Sequence, residues 1–239
     1  MIALIPARVG SKRCPGKNTR LLNEQPLITY SIVAAAMSGV FERLIVASDD
    51  QGLLASVMDW NDVRILAHLR EPVSDHQADI EWIREVMLRT TPRPDSFAIL
   101  RPTSPFRTAA TIQRAYKQFR AMADCGDSIR AVEPVKQHPG KMWEWAGNGY
   151  PMTPLLSGKR SDGVPWHSCP TQTLPTFYVQ NSSLEMAWTA NIEVHGTIHG
   201  RKVAPFFTEG YEGFSIDTEE DWEKAVVIAR EHPELLPKV

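Results

Sequence analysis

Cysteine is scarce and scattered: Cys14, Cys125 and Cys169 are odd in number and far apart, which argues against a disulfide framework and fits a reducing compartment. Metal-ligand spacing is missing as well. His195 and His199 stand four apart, but Gly196 and Gly200 make a poor helix there and no third ligand follows, so no zinc site is expected. No apolar run reaches the length of a membrane span, and Met1 leads straight into a short apolar strand rather than a signal peptide. The expectation is a cytoplasmic protein with no membrane partner. An excess of positive charge is absent too: the formal net charge of -2 argues against general nucleic-acid binding and leaves room only for a local basic site. There are no repeats or low-complexity tracts. What the chain does have is core-forming material, 43% hydrophobic residues in 239, enough for one large α/β domain or a domain with an appended lobe.

Apolar strand runs alternate with helical patterns along most of the chain. Strands are expected at 2–5, 44–47, 63–66, 97–100 and 129–132, and helices at 26–37, 51–60, 79–88 and 111–122, with Gly39 as a stop signal for the first. Such alternation implies a largely parallel sheet covered by helices on both faces. Beyond residue 132 the pattern breaks. Residues 133–175 hold Trp143, Trp145, Trp166 and several prolines and glycines, and read as an inserted lobe whose tryptophans either cover its own small core or form a subunit interface. Strand-like stretches resume at 177–179, 184–188 and 203–207. A closing helix is expected over 218–230, with Thr218 as N-cap and Glu219, Glu220 and Asp221 at its positive end.

A parallel sheet brings the carboxyl ends of its strands to one edge, where ligands bind. The loops expected to meet there are 8–18, 48–50, 101–107 and 133–141. The first is the most informative. Arg8, Lys12, Arg13 and Lys17 fall within ten positions, and no carboxylate occurs before Glu24. Gly10 and Gly16 allow backbone N–H groups to turn towards phosphate oxygens, so the loop suits a bound anion, although a solvated basic turn would have the same composition. It is not a P-loop: five residues separate Gly10 from Gly16, and Asn18 stands where Ser or Thr belongs.

In order, Pro6, Ala7, Arg8, Ser11, Lys12, Pro15, Lys17 and Asn18 resemble the IPAR-x-x-SK-x-x-P-x-KN signature of CMP-acylneuraminate synthetases, cytidylyltransferases that activate sialic acids and related nine-carbon 2-keto sugars. The Lys17-Asn18 pair differs from the Lys-Pro ending usual in synthetases for the eight-carbon sugar Kdo. Further stretches extend the resemblance over most of the chain. Ser48-Asp49-Asp50 resembles the S-[TD]-D element, and Arg70 with Pro72 and Ser74-Asp75 imperfectly resembles R-x-x-x-A-S-D, with Val73 at the alanine position and one residue fewer between it and the arginine. Residues 100–107, LRPTSPFR, resemble L-[QR]-PTSP-x-R, and Lys141-Met142-Trp143 resembles a KMW element. Residues 170–175 resemble P-R-Q-x-L-P with Thr171 in place of arginine, and residues 180–183 resemble [RP]-N-G-[AS] with Ser182 in place of glycine. Before the closing helix, where relatives often carry Asp-x-Asp, this chain has Ser215 and Asp217.

The resemblance implies a Rossmann-like nucleotide-diphosphosugar-transferase fold, 1–239 as a single cytidylyltransferase domain with a dimerisation lobe at 133–175, and a homodimer. It implies CTP and an acidic sugar as substrates, with CMP passing to the sugar's anomeric hydroxyl and pyrophosphate leaving. Arg8 and Lys17 would act on the transferring phosphate. Ser11, Lys12, Asn18, Ser48 and Arg70 would hold the nucleotide, and Arg101, Thr103, Ser104, Lys141, Gln172 and Asn181 the sugar. Asp217 and, more weakly, Asp50 would bind Mg2+. Lys12 and Arg13 beside Cys14 should lower its thiol pKa, but the resemblance gives that cysteine no role. Two alternatives share these residues: activation of Kdo or a phosphonate by CTP, and a non-catalytic nucleotide-binding subunit, the latter motivated by Ser215 and Thr171.

Overall fold

The computed structural model describes residues 1–8, 10, 12–60, 62–71, 79–147 and 149–239. Strand β1 (Ile2–Pro6) is followed by a short hairpin, β2 (Leu21–Leu22) and β3 (Gln25–Pro26), and by α1 (Leu27–Ser38). Next come β4 (Arg43–Ser48), α2 (Gln51–Met58), β5 (Ile65–Leu69), α3 (Ile80–Arg89), β6 (Ser96–Ile99), α4 (Ala109–Ala121) and β7 (Ser128–Pro134). The remainder holds β8 (Trp143–Glu144), β9 (Thr153–Pro154), β10 (Tyr178–Trp188), α5 (Ala190–Val194), β11 (Val203–Phe207) and α6 (Glu219–Glu231).

Seven strands form one sheet in the order β11-β7-β10-β6-β1-β4-β5. The pairs β1 with β4, β1 with β6, and β4 with β5 are parallel, as the βα alternation requires. β10 runs antiparallel to β6. The sequence reading also split this region into 177–179 and 184–188, whereas one eleven-residue strand, Tyr178–Trp188, runs through it. The strand expected at 63–66 begins later, at Ile65, and Val63 is 93% exposed.

The near-continuous apolar run of β1 reflects burial on both faces. Ala3 and Ile5 join Leu44 and Val46 in a core covered by α1 and α4, while Ile2 and Leu4 join Ile45 and Ala47 under α3. α1 has no polar stripe because nearly all of it is buried; Gly39, at φ +66°, ends it in the left-handed conformation that glycine tolerates. α6 starts at the expected cap: Thr218 accepts from Asp221 N, and the Asp221 carboxylate reaches back to Thr218 N. A third cluster, with Cys14, Leu22, Leu27, Phe106, Ile216 and Trp222, lies beneath the basic loop. Full burial of a side chain such as Phe106 or Ile216 contributes about 1.5–3 kcal/mol, which anchors the polar segments attached to them.

His68 on β5 is buried 3.8 Å from Glu85, and burial lowers its pKa; Arg89 and Arg70 act in the same direction and Glu85 opposes them. The unfolded chain therefore binds this proton more tightly. Stability is full above about pH 6.5 and falls as the pH drops from there through the lower folded-state value. His68→Gln should flatten that slope in urea denaturation measured between pH 7.5 and 5.

The chain divides into two units, one of Met1–Ala131 with Asn181–Val239 and the other Val132–Gln180, wider at both ends than the 133–175 of the sequence reading. Within the second unit, β8 and β9 pair antiparallel. His138 organises the rest. Its Nδ1 accepts from Gly140 N at 2.9 Å, so Nε2 carries the proton that it donates to Pro175 O, also at 2.9 Å. Its ring meets Phe177 edge-on with centroids 5.0 Å apart, and Trp166 packs over Gly158, where a Cβ would come within 2.3 Å of the indole. Trp166 thus belongs to the lobe's own core, whereas Trp143 and Trp145 are exposed.

Candidate active site

The strand register brings the predicted loops to one edge of the sheet. Pro6 lies opposite Ala47 and Ser48 opposite Leu69, so the basic loop and the segments beginning at Asp49 and Arg70 leave side by side. Backbone bonds continue the alignment: Ala7 N donates to Ala47 O at 2.8 Å, Arg70 N to Ser48 O at 3.0 Å, and Leu100 N to Leu4 O at 2.9 Å.

The basic loop folds back on itself. Asn18 Nδ2 donates to Arg8 O at 2.9 Å, and Gly16 sits at φ +64°, the left-handed turn for which a glycine is needed; Gly10 lies outside that region. Lys17 then points inward, its side chain 12% exposed, donating to Ile216 O at 2.8 Å and lying 3.5 Å from Asp217 Oδ1. Arg13 approaches the same oxygen at 3.7 Å. Ile216 N donates to Thr103 O at 2.9 Å, so the 213–217 segment lies between the basic loop and the loop after β6. Arg8 and Lys12 are exposed. Ser11 falls outside the described residues, as do Pro72 and Ser74-Asp75.

Several predicted ligands are occupied within the fold. Ser48 is fully buried; its hydroxyl donates to Ala7 O at 2.5 Å and accepts from Asp50 N at 3.0 Å, which makes it a strap between strand ends rather than an exposed nucleotide contact. Asp50 is the N-cap of α2, with one carboxylate oxygen committed to Gly52 N and Leu53 N. Arg101, expected to grip an acidic sugar, instead pairs with Asp79 at 2.6 Å and Glu185 at 3.5 Å, and Glu185 also holds Arg130 at 3.0 Å. Burial would lower the Arg101 pKa, but Asp79 and then Glu185 outweigh it and raise it. Lys141, in the lobe, donates to the carbonyls of His167 and Cys169, and Gln172 is exposed on a short turn there. Asn181 bonds Thr208 Oγ1 at 2.9 Å and accepts from Ser183 N. Ser104 is buried, and among the described residues neither its hydroxyl nor that of Thr103 has a hydrogen-bond partner.

Arg70 differs from these. It is 7% exposed, its Nε has no hydrogen-bond partner among the described residues, and its guanidinium lies 5.5 Å from the centre of the Trp82 ring. Burial lowers its pKa against the pull of Asp79 and Asp49. Cys14 reverses its expectation: it is fully buried, and burial followed by Glu219 raises its pKa over the opposing effect of Arg20 and Lys17. Sequence reading left Arg13 and Arg107 out of its site and missed Asp79 and Glu185. Arg13 was adjacent to Lys12, but nothing in the sequence links Asp79 to Arg101 or Glu185.

As a metal site, the edge offers the carboxylate of Asp217, since Asp50 is committed to its cap; among the described residues no three His, Cys, Asp or Glu side chains group as a cation cage. One carboxylate completed by phosphate oxygens and water is a donor set that Mg2+ commonly takes. The arrangement as a whole is an edge rich in lysines and arginines with Asp217 set among them, chemically suited to a polyphosphate with its divalent cation.

A family model described as Cytidylyltransferase matches residues 2–137. The chain is 33% identical over 142 residues to the CMP-N,N'-diacetyllegionaminic acid synthase of Legionella pneumophila, covering 58% of this chain and 60% of that protein. It is 35% identical over 122 residues to the N-acylneuraminate cytidylyltransferase of Escherichia coli, covering 51% of this chain and 29% of that one. The matches thus span less than two thirds of these relatives' own lengths. A solved CMP:2-keto-3-deoxy-manno-octonic acid synthetase in complex with CTP superposes over 96% of this chain and 98% of its own, with a TM-score of 0.65 and 15% identity. That likeness establishes a shared fold.

Proposed function

This chain belongs to the cytidylyltransferase family, and from that premise we propose that it transfers CMP from CTP to the anomeric hydroxyl of a nonulosonic, sialic-acid-like 2-keto sugar acid, releasing pyrophosphate. The observation that carries the reading is the convergence of Lys17 on Ile216 and Asp217, itself bonded to the loop after β6, at the carboxyl edge of the sheet. The hydroxyl oxygen attacks the α-phosphorus as the bond to the pyrophosphate oxygen breaks, and the hydroxyl proton leaves to solvent. No protein nucleophile is required.

The chain's own groups position the triphosphate and offset its charge. An ammonium has three donors. In Lys17 one is used by Ile216 O and one faces Asp217, leaving one for a phosphate oxygen. Arg8, Lys12 and Ser11 assist around the same phosphates, Asn18 keeps the loop closed on Arg8, and Arg70 faces the nucleoside with Trp82 behind it. Asp217 would hold Mg2+, which supplies charge neutralisation on the triphosphate when bound. Ser48 and Arg101 support the site from within. Thr103, Ser104 and Asn181 flank the acceptor side. The exposed Trp143 and Trp145 support a homodimer formed through that lobe, and a cytoplasmic setting follows the same family reading.

Pyrophosphate release with Mg2+ tests the reading, with N-acetylneuraminic, legionaminic and pseudaminic acids, Kdo, a phosphonate and a no-acceptor control, and with ATP, GTP and UTP replacing CTP. Release specific to CTP and one nine-carbon acid is expected. Release with Kdo or the phosphonate alone would reassign the acceptor, and CTP binding without release for every acceptor would favour a non-catalytic subunit.

A further inference from the structure

We infer that Asp217 is a built-in counter-ion of the phosphate site. It neutralises Lys17 and Arg13 until nucleotide phosphate takes over those cations, and the carboxylate so released turns to the divalent metal. The inference rests on the nucleotide reading above and adds a coupling between two ligands that the reading alone does not contain.

The geometry is specific. Asp217 Oδ1 lies 3.5 Å from Lys17 Nζ and 3.7 Å from Arg13 Nη2, while Oδ2 accepts from Ser215 Oγ at 3.0 Å. Both partners are held from behind. Lys17 is tethered by Ile216 O at 2.8 Å, and Ile216 is fully buried with its N–H on Thr103 O. Asp217 N and Thr218 N both donate to Asp221 Oδ2, at 3.2 and 3.0 Å. The lysine therefore has little freedom to reach solvent, and its carboxylate partner among the described residues is Asp217.

An oxygen facing two cations is a poor metal ligand until another anion satisfies them. Phosphate oxygens can, through charge-assisted bonds stronger than a single shared contact. Metal binding draws Asp217 away from Lys17, and phosphate binding draws Lys17 away from Asp217. Each event favours the other, and thermodynamic linkage makes the coupling reciprocal. Ser215 supplies a hydroxyl where a second carboxylate would add charge, so a single anionic group is exchanged.

Calorimetric titration of CTP into the full chain, in EDTA and in Mg2+, tests this with wild type, Asp217→Asn and Ser215→Asp. Wild type should bind more tightly in Mg2+. Asp217→Asn should bind CTP in EDTA roughly fivefold more tightly than wild type, the scale of a partly exposed ion pair, and lose most of the gain from Mg2+. Ser215→Asp should move the opposite way, weaker in EDTA with a larger gain from Mg2+. Asp217→Asn binding in EDTA no tighter than wild type, with circular dichroism showing it folded, would overturn the inference. So would Ser215→Asp binding as tightly as wild type in EDTA, a result that stands even if Asp217→Asn misfolds. Inorganic pyrophosphate serves as a base-free probe. If wild type ignores CTP in both buffers, the nucleotide reading fails; a tighter pyrophosphate complex of Asp217→Asn in EDTA would still support the counter-ion, and an unchanged one would remove it.

Discussion

Lys17→Ala is expected to lower the rate of pyrophosphate release by about 10²–10³-fold, the effect of removing one preorganised donor from a developing charge. The side chain is mostly enclosed, tethered to Ile216 O, and opposed by one carboxylate, so its cation is already oriented before a phosphate arrives. The same tether gives the substitution a structural cost. Losing a hydrogen bond from a charged donor removes about 1.5–3 kcal/mol, a shift of a few degrees in Tm. The two readouts separate the roles. Lys17→Arg should keep much of the stability while recovering only part of the rate, because a planar fork does not replace a point charge in this tether. A variant whose rate falls only in proportion to the fraction unfolded would show that Lys17 serves the fold alone.

The largest loss of stability is expected from Arg107→Ala, about 3–5 kcal/mol, measured as a lower urea midpoint at unchanged slope. Arg107 is fully buried and, among the described residues, has no carboxylate partner. Burial pushes its pKa down to about 9, so it keeps its charge at neutral pH. Its donors reach Arg101 O at 3.3 Å, Ser183 O, and Ser31 Oγ at 2.7 Å, joining the loop after β6, β10 and α1. Truncation takes this donor from Ser183 O and Ser31 Oγ, while Arg101 O still accepts from Ser104 N, and it opens a cavity. Arg107→Met distinguishes a useful cation from a tolerated one. It restores much of the volume, so a remaining cost of about 2 kcal/mol would assign the effect to the unpaired acceptors, whereas a neutral or stabilising result would show that burying the charge cancels what its bonds contribute.

Local sequence made much of the fold legible. The apolar run of β1, Gly39 after α1, and Thr218 with Asp221 at the head of α6 act through the conformation and burial of neighbouring residues, and those effects are present in any window of the chain. The antiparallel β10 was not legible, because the direction of a strand depends on which partner it meets, and Glu185 meets Ile99 across more than eighty residues. The site divides in the same way. The cationic character of 8–17 could be read directly, whereas Arg101 had the composition of a ligand and became a structural ion pair once Asp79 and Glu185 came within reach. Cys14 turned in the opposite direction from its basic neighbours, because desolvation under α6 outweighed them.

By itself, then, the sequence determined the βα order, the sheet edge at which polar loops gather, and the phosphate-seeking charge of the first loop, since periodicity and charge are properties of local stretches. Tertiary structure decided which of those charges remain available. Lys17 and Asp217 stand 200 positions apart and became partners only when the 213–217 segment crossed the basic loop, and Arg101 lost its availability through contacts 22 and 84 positions away. The physical reason is that an ionic group's role depends on its nearest counter-charge and its access to water, and folding alone assigns both.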